Sequence, residues 1–221
     1  MNNIIEIAHR GNSHYYKDNS IQSFTSALDE KFDMIELDIQ LCRSGEIVVN
    51  HDLFIDYNFI KNMDLNEIQE IDSDIITLKQ FFEIPRMKDI DVYLDLKGDI
   101  KIAKEVVKFI NVNNLNKDRI LIGSFNLKHL DIIHTLDISI KLGFITDNNL
   151  SDALYFELSK LNYLYFIAVS WNMLDIDTIS LLKLQGIKLF VFTCANELIL
   201  SHILNYQVDG IISNFKIVTN S

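Results

Sequence analysis

The chain has 221 residues, of which 48% are hydrophobic, and 20 Lys plus Arg stand against 31 Asp plus Glu, a formal charge of −11. That apolar content supports one domain with a sizeable core. So acidic a surface repels phosphate backbones and anionic headgroups, which excludes general nucleic-acid or membrane-surface binding.

Short β-branched or aliphatic runs alternate with helix-period stretches from the first residues onward. The runs, in chain order, are IIEIAH (4–9), MIELDI (34–39), EIVVNH (46–51), VYLDLK (92–97), RILIGSF (119–125), IKLGFI (140–145), FIAVSW (166–171), KLFVFT (188–193) and DGIISN (209–214). Amphipathic segments at 20–31, 101–114, 151–161 and 197–206 predict helices between them. Repeated strand–helix units predict an α/β fold with a parallel sheet. A somewhat irregular (β/α)8 TIM-type barrel fits better than an open doubly wound sheet. Nine runs compete for eight places, and the link from 39 to 46 is too short for a helix. With one proline, seven glycines and no Ser/Gly linker, residues 1–221 read as a single domain.

No basic leader precedes a long apolar segment, and runs such as LFVF are too short to span a bilayer. A cytoplasmic protein without stable membrane insertion is expected, its oligomeric state open. Cys42 and Cys194 are distant from each other and outside any C-x-x-C pair, so two reduced thiols are expected.

Alternation along a strand places residues i and i+2 on one face. In IELDI, Glu36 and Asp38 therefore share a face opposite Ile35, Leu37 and Ile39. Two carboxylates side by side in an apolar setting are costly without a cation, and a hard divalent ion answers that cost. In VYLDLK, Asp95 and Lys97 share a face in the same way. His9 and His51 also stand at the ends of apolar runs. Taken singly, each histidine is more often structural and each ion pair more often a surface feature. Together they place two histidines, three carboxylates, Arg10 and Lys97 at successive C-terminal strand ends, where barrels build their sites. Such a set suits metal-assisted acid–base cleavage of a phosphoester. Asn19, Trp171 and Phe192 are further candidates for lining a pocket, while His14, His129, His134 and His202 read as surface or structural residues.

In their order, His9-Arg10-Gly11, Asp18-Asn19-Ser20, IELDIQL, SGEIVVNHD, LDLKGD and, more weakly, GSF, FVFTCAN and VDGIISN resemble the glycerophosphodiester phosphodiesterase family. The resemblance implies a TIM-type barrel and one divalent cation, Mg²⁺ or Ca²⁺, on Glu36, Asp38 and Asp95. It further implies His9 and His51 as the acid–base pair, with Arg10 and Lys97 on the phosphate of a small-molecule phosphodiester. The implied reaction releases glycerol 3-phosphate and an alcohol, by way of a cyclic phosphate when a neighbouring glycerol hydroxyl attacks first. Asp95 replaces the family's usual glutamate, and Lys17-Asp18-Asn19-Ser20 replaces its Pro-Glu-Asn-Thr turn. The Asp-x-Lys pattern is also similar to the sphingomyelinase D and phospholipase D branch of the superfamily. A catalytically idle barrel that binds a phosphorylated ligand is the remaining alternative.

Overall fold

The computed structural model of the protein describes residues 4–148, 158 and 160–217. Its strands are β1 (Ile5–Ala8), β2 (Met34–Leu41), β3 (Ile47–Val49), β4 (Phe54–Ile55), β5 (Asn58–Phe59), β6 (Asp91–Leu96), β7 (Ile120–Ser124), β8 (Lys141–Thr146), β9 (Leu164–Ser170), β10 (Lys188–Cys194) and β11 (Gly210–Ser213). Eight of them pair in parallel in the order β1-β2-β6-β7-β8-β9-β10-β11, and β11 returns to β1. The sheet is thus closed, and the expected TIM-type barrel is what the chain builds.

The run at 46–51 is the surplus ninth. Its strand β3 pairs antiparallel with β2, with Ile39 opposite Val49 and Leu41 opposite Ile47, outside the barrel. Physically, a five-residue link cannot carry a crossover, so the only available return is a hairpin. Gly45 makes that turn at φ +97°, a left-handed conformation that glycine adopts without a Cβ penalty. One consequence matters for the site. Strand β2 projects past the barrel rim, and β3 brings the chain back down to it, where Asn50 N–H donates to Asp38 O at 3.0 Å.

The alternation in β2 holds. Ile35, Leu37 and Ile39 are fully buried against the helical layer with Leu94 and Leu96, while Glu36 and Asp38 turn into the barrel. The barrel interior below them is filled by Ile7, Met34, Tyr93, Leu121, Phe166 and Phe190, among others. Three glycines make room for the three aromatics. A Cβ on Gly123 would come within 2.5 Å of Tyr93 Oη, one on Gly210 within 2.7 Å of Phe190, and one on Gly143 would overlap the Phe166 ring. Overpacking of this kind costs about 1–3 kcal/mol. Gly143→Ala is therefore expected to lower Tm by about 2–4 °C for each kcal/mol lost, as a thermal melt would show.

Helix α1 (Ile21–Asp29) starts at Ser20, whose hydroxyl caps Ser23 N–H in a capping box, and it buries Phe24 and Ala27. Helices Ile102–Val112 and Glu197–Ile203 also fall within expected segments. Leu65–Ile71, Leu78–Glu83, Leu127–Leu136 and Ile176–Leu184 are helices outside those segments. The expected helix at 151–161 lies, apart from Leu158, Lys160 and Leu161, outside the described residues. Cys42 and Cys194 are free and buried, as expected. Among the described residues no helix is long and apolar enough to cross a membrane.

Candidate active site

Side chains from seven barrel strands or their ends, and from the loop after β3, converge at the C-terminal mouth. His9, Arg10, Glu36, Asp38, His51, Tyr93, Asp95, Lys97, Phe125, Ile145, Phe192, Thr193 and Ile212 line a cleft of about 140 Å³. Sheet register sets the carboxylates. Asp38 pairs with Asp95 across β2 and β6, and Glu36 lies one interior position deeper, opposite Tyr93. The first triplet leaves β1 with Arg10 at φ 55° and Gly11 at φ 79°, so the chain turns sharply away. That turn aims Arg10 N–H at Glu36 Oε2 (2.8 Å) and Arg10 Nε at Asp38 Oδ2 (3.0 Å). A Cβ on Gly11 would come within 2.5 Å of Ser23 Oγ, so this close turn requires glycine.

Lys97 joins two of the acids, with Nζ 3.1 Å from Asp38 Oδ1 and 2.6 Å from Asp95 Oδ2. Each acid responds differently to its surroundings. Burial opposes ionisation of Asp38, but Lys97, Arg10 and a hydrogen bond from Asn19 outweigh it and hold its carboxyl below the usual range. Burial, then the charges of Asp38 and Asp95, push Glu36 well above the ordinary value. Asp95 is pushed up to about 7, chiefly by burial, although Lys97 pulls the other way. The cluster thus holds more negative charge than its two cations settle.

A divalent cation fits this arrangement. Glu36, Asp38 and Asp95 each offer a carboxylate oxygen, all within 4.8 Å of one another. Asp95 Oδ1 is buried without a hydrogen-bond partner. Three hard oxygen donors with surplus charge suit Mg²⁺ or Ca²⁺.

The histidines face the same cleft from opposite environments. His9 Nδ1 lies 2.7 Å from Asn214 Oδ1, and burial, followed by the Arg10 charge, lowers its pKa to about 4. His51 reaches the cleft from the loop after β3, not from the end of a barrel strand, with Nδ1 2.8 Å from Asp52 Oδ1 and its side chain 44% exposed. Phe192 lines the cleft. Asn19 does not line it but holds it, donating from Nδ2 to Asp38 Oδ2 at 3.0 Å. Trp171 stands apart, packed on the helical layer with its ring edge-on to His202 at 5.8 Å. It begins a 3-10 turn after β9, which carries it out of the barrel mouth. Tyr93, Phe125, Asp52 and Asn214 belong to the site in addition to the expected residues. Tyr93 is accessible from period two, since it stands two residues before Asp95.

The model of the glycerophosphoryl diester phosphodiesterase family matches residues 9–217, nearly the whole chain. The chain belongs to that family. It is accordingly a phosphodiesterase. A glycerophosphodiester phosphodiesterase of Caldanaerobacter subterraneus subsp. tengcongensis is 30% identical, over 94% of this chain and 93% of the relative. Two solved structures share the fold across similar spans. The Thermotoga maritima glycerophosphodiester phosphodiesterase superposes with a TM-score of 0.83 at 24% identity, covering 97% of this chain and 96% of that one. A phosphodiesterase of Oleispira antarctica, solved with the product sn-glycerol-3-phosphate, gives 0.84 at 22% identity, covering 95% and 92%.

Proposed function

We propose that the protein hydrolyses a glycerophosphodiester to glycerol 3-phosphate and an alcohol, using one divalent cation and the pair His9 and His51. The observation that carries this reading is the meeting of three buried carboxylates, two histidines and two basic groups around one small cleft. The product bound in the Oleispira antarctica structure supports the same substrate class. The cation, Mg²⁺ or Ca²⁺ on Glu36, Asp38 and Asp95, supplies Lewis acidity toward a phosphoryl oxygen.

Lys97 has three donors, of which two serve Asp38 and Asp95; the third is available to a phosphate oxygen. Arg10 donates from Nη1 to Asp18 and pairs through Nε with Asp38, leaving the rest of its planar fork for the anion. The two histidines separate by role. Asn214 Oδ1 can only accept, so His9 carries its proton on Nδ1 and presents an unprotonated Nε2. His9 is then the base that takes the proton from the attacking glycerol hydroxyl or water. The Asp52 carboxylate bonds His51 Nδ1 and orients its ring at the cleft, which suits His51 to the part of proton donor to the departing alcohol oxygen.

The experiment is a ³¹P NMR assay with glycerophosphocholine or glycerophosphoethanolamine in Mg²⁺, Ca²⁺ or EDTA. Glycerol 3-phosphate should accumulate with a cation and stop with EDTA. A folded, cation-loaded protein that turns over neither substrate would remove the substrate assignment.

A further inference from the structure

We propose that Ser124 and His129, neither of which touches the cleft, act as a buried brace that positions Lys97 and Phe125 for the phosphate. The inference rests on the role given above to Lys97. Ser124 ends β7 with its side chain turned outward from the barrel, because its neighbour Gly123 faces inward under Tyr93. Ser124 and His129 are 0% and 1% exposed. Ser124 Oγ lies 2.8 Å from His129 Nδ1, accepts Asn126 N–H at 3.0 Å and lies 3.3 Å from Leu96 O.

Those backbone groups flank the two cleft residues. Leu96 immediately precedes Lys97, and Asn126 immediately follows Phe125. The Phe125 ring centre is 5.2 Å from Lys97 Nζ, a cation–π distance, and 6.2 Å from the Phe192 ring centre. One hydroxyl therefore ties together the two strand ends from which this wall of the cleft rises. His129, in the first turn of the helix Leu127–Leu136, fixes that hydroxyl through Nδ1. Its other nitrogen, Nε2, is buried without a hydrogen-bond partner, and the imidazole lies near the backbone of Gly98 and Asp99, the two residues after Lys97.

An apolar side chain would fill the same space without the desolvation cost of an imidazole, so packing alone does not account for a histidine here. Orientation does. Lys97 has a long side chain with many rotamers to order, and Asp38 and Asp95 fix only its tip. The brace fixes its root. Misplacement by about 1 Å costs a catalytic arrangement up to about a hundredfold in rate.

A double-mutant cycle tests the proposal, with kcat for glycerophosphocholine in saturating Mg²⁺ normalised to folded protein by circular dichroism. His129→Phe keeps the ring volume and removes both nitrogens, and Ser124→Ala removes the hydroxyl. Each is expected to lower kcat roughly ten- to a hundredfold. His129→Asn, which retains a polar atom near the Nδ1 position, should recover part of the loss. In a Lys97→Ala background, His129→Phe or Ser124→Ala should cost less than about twofold more, because coupled residues are not additive. Losses that multiply in full would reduce the pair to packing and overturn the brace. Should His129→Phe fail to fold, the Ser124→Ala arm separates the same two outcomes. If Lys97→Ala itself leaves kcat unchanged, the assignment of Lys97 to the phosphate fails and the brace falls with it.

Discussion

Replacing His51 with alanine is expected to lower kcat by about 10²–10⁴ while leaving the thermal melt nearly unmoved. The two halves of this expectation have separate causes. His51 is 44% exposed at its side chain, and among the described residues its hydrogen-bond partner is the neighbouring Asp52, so its loss removes little packing. Substitutions of that kind stay within about 0.5 kcal/mol, or about 1–2 °C in a chain of this size. Yet the ring borders the cleft, where the leaving alcohol needs a proton. Slow turnover in a protein with an unshifted melt would place the defect in the chemistry. An alanine variant at full speed would strike out the acid assigned to this position, whatever the substrate.

Glu36→Gln is expected to move activity and stability in opposite directions. Loss of one carboxylate weakens the cation site, and a cation contributes several kcal/mol of transition-state stabilisation, so turnover should fall by about a thousandfold or more. In EDTA the same variant should melt at a higher temperature than the parent at neutral pH. Burial and the charges of Asp38 and Asp95 raise the Glu36 carboxyl well above its ordinary value, and burial holds Asp95 at about 7. A folded-state pKa raised above the unfolded one gives stability that is present at low pH and lost as pH climbs through the folded value. The parent in EDTA should therefore lose stability between about pH 5 and 7, starting above the ordinary carboxylate pKa of about 4. Glutamine removes the Glu36 share of that slope and still accepts the Arg10 N–H now bonded to Glu36 Oε2. Added Mg²⁺ should stabilise the parent by mass action and the variant far less. Melting curves across pH, with and without Mg²⁺, would decide it, and equal cation stabilisation of both proteins would contradict the ligand role.

The parts of this site that the sequence made legible are those carried by short-range alternation. Glu36, Asp38, Asp95 and Lys97 declare their face because each stands two residues from its neighbour on one strand. His51 lies at the mouth by another route than a barrel-strand end. It hangs from a hairpin return, which alternation along 46–51 cannot distinguish from a ninth barrel strand. Contacts between distant residues were not legible. Asn214 holds His9 across 205 positions, and no local period encodes that pairing. Asn19 sits at φ 56° and reaches inward to Asp38, whereas a polar loop residue reads simply as solvated. His129 is buried with its Nδ1 against Ser124 Oγ at the end of β7, a pairing that its place on an amphipathic helix does not announce. Trp171 follows the strand pattern until a 3-10 turn carries it away from the mouth.

The central claim is that Glu36, Asp38 and Asp95 hold the cation on which phosphodiester hydrolysis depends. It is tested most directly by crystals grown with Mn²⁺, which shares the oxygen-ligand preference of Mg²⁺ and Ca²⁺, and an anomalous difference map at the manganese edge. The predicted result is a peak within bonding distance of all three carboxylates, beside Lys97 and between the two histidines. A map with manganese bound elsewhere, or with none at these acids in crystals that turn over substrate, would contradict the account.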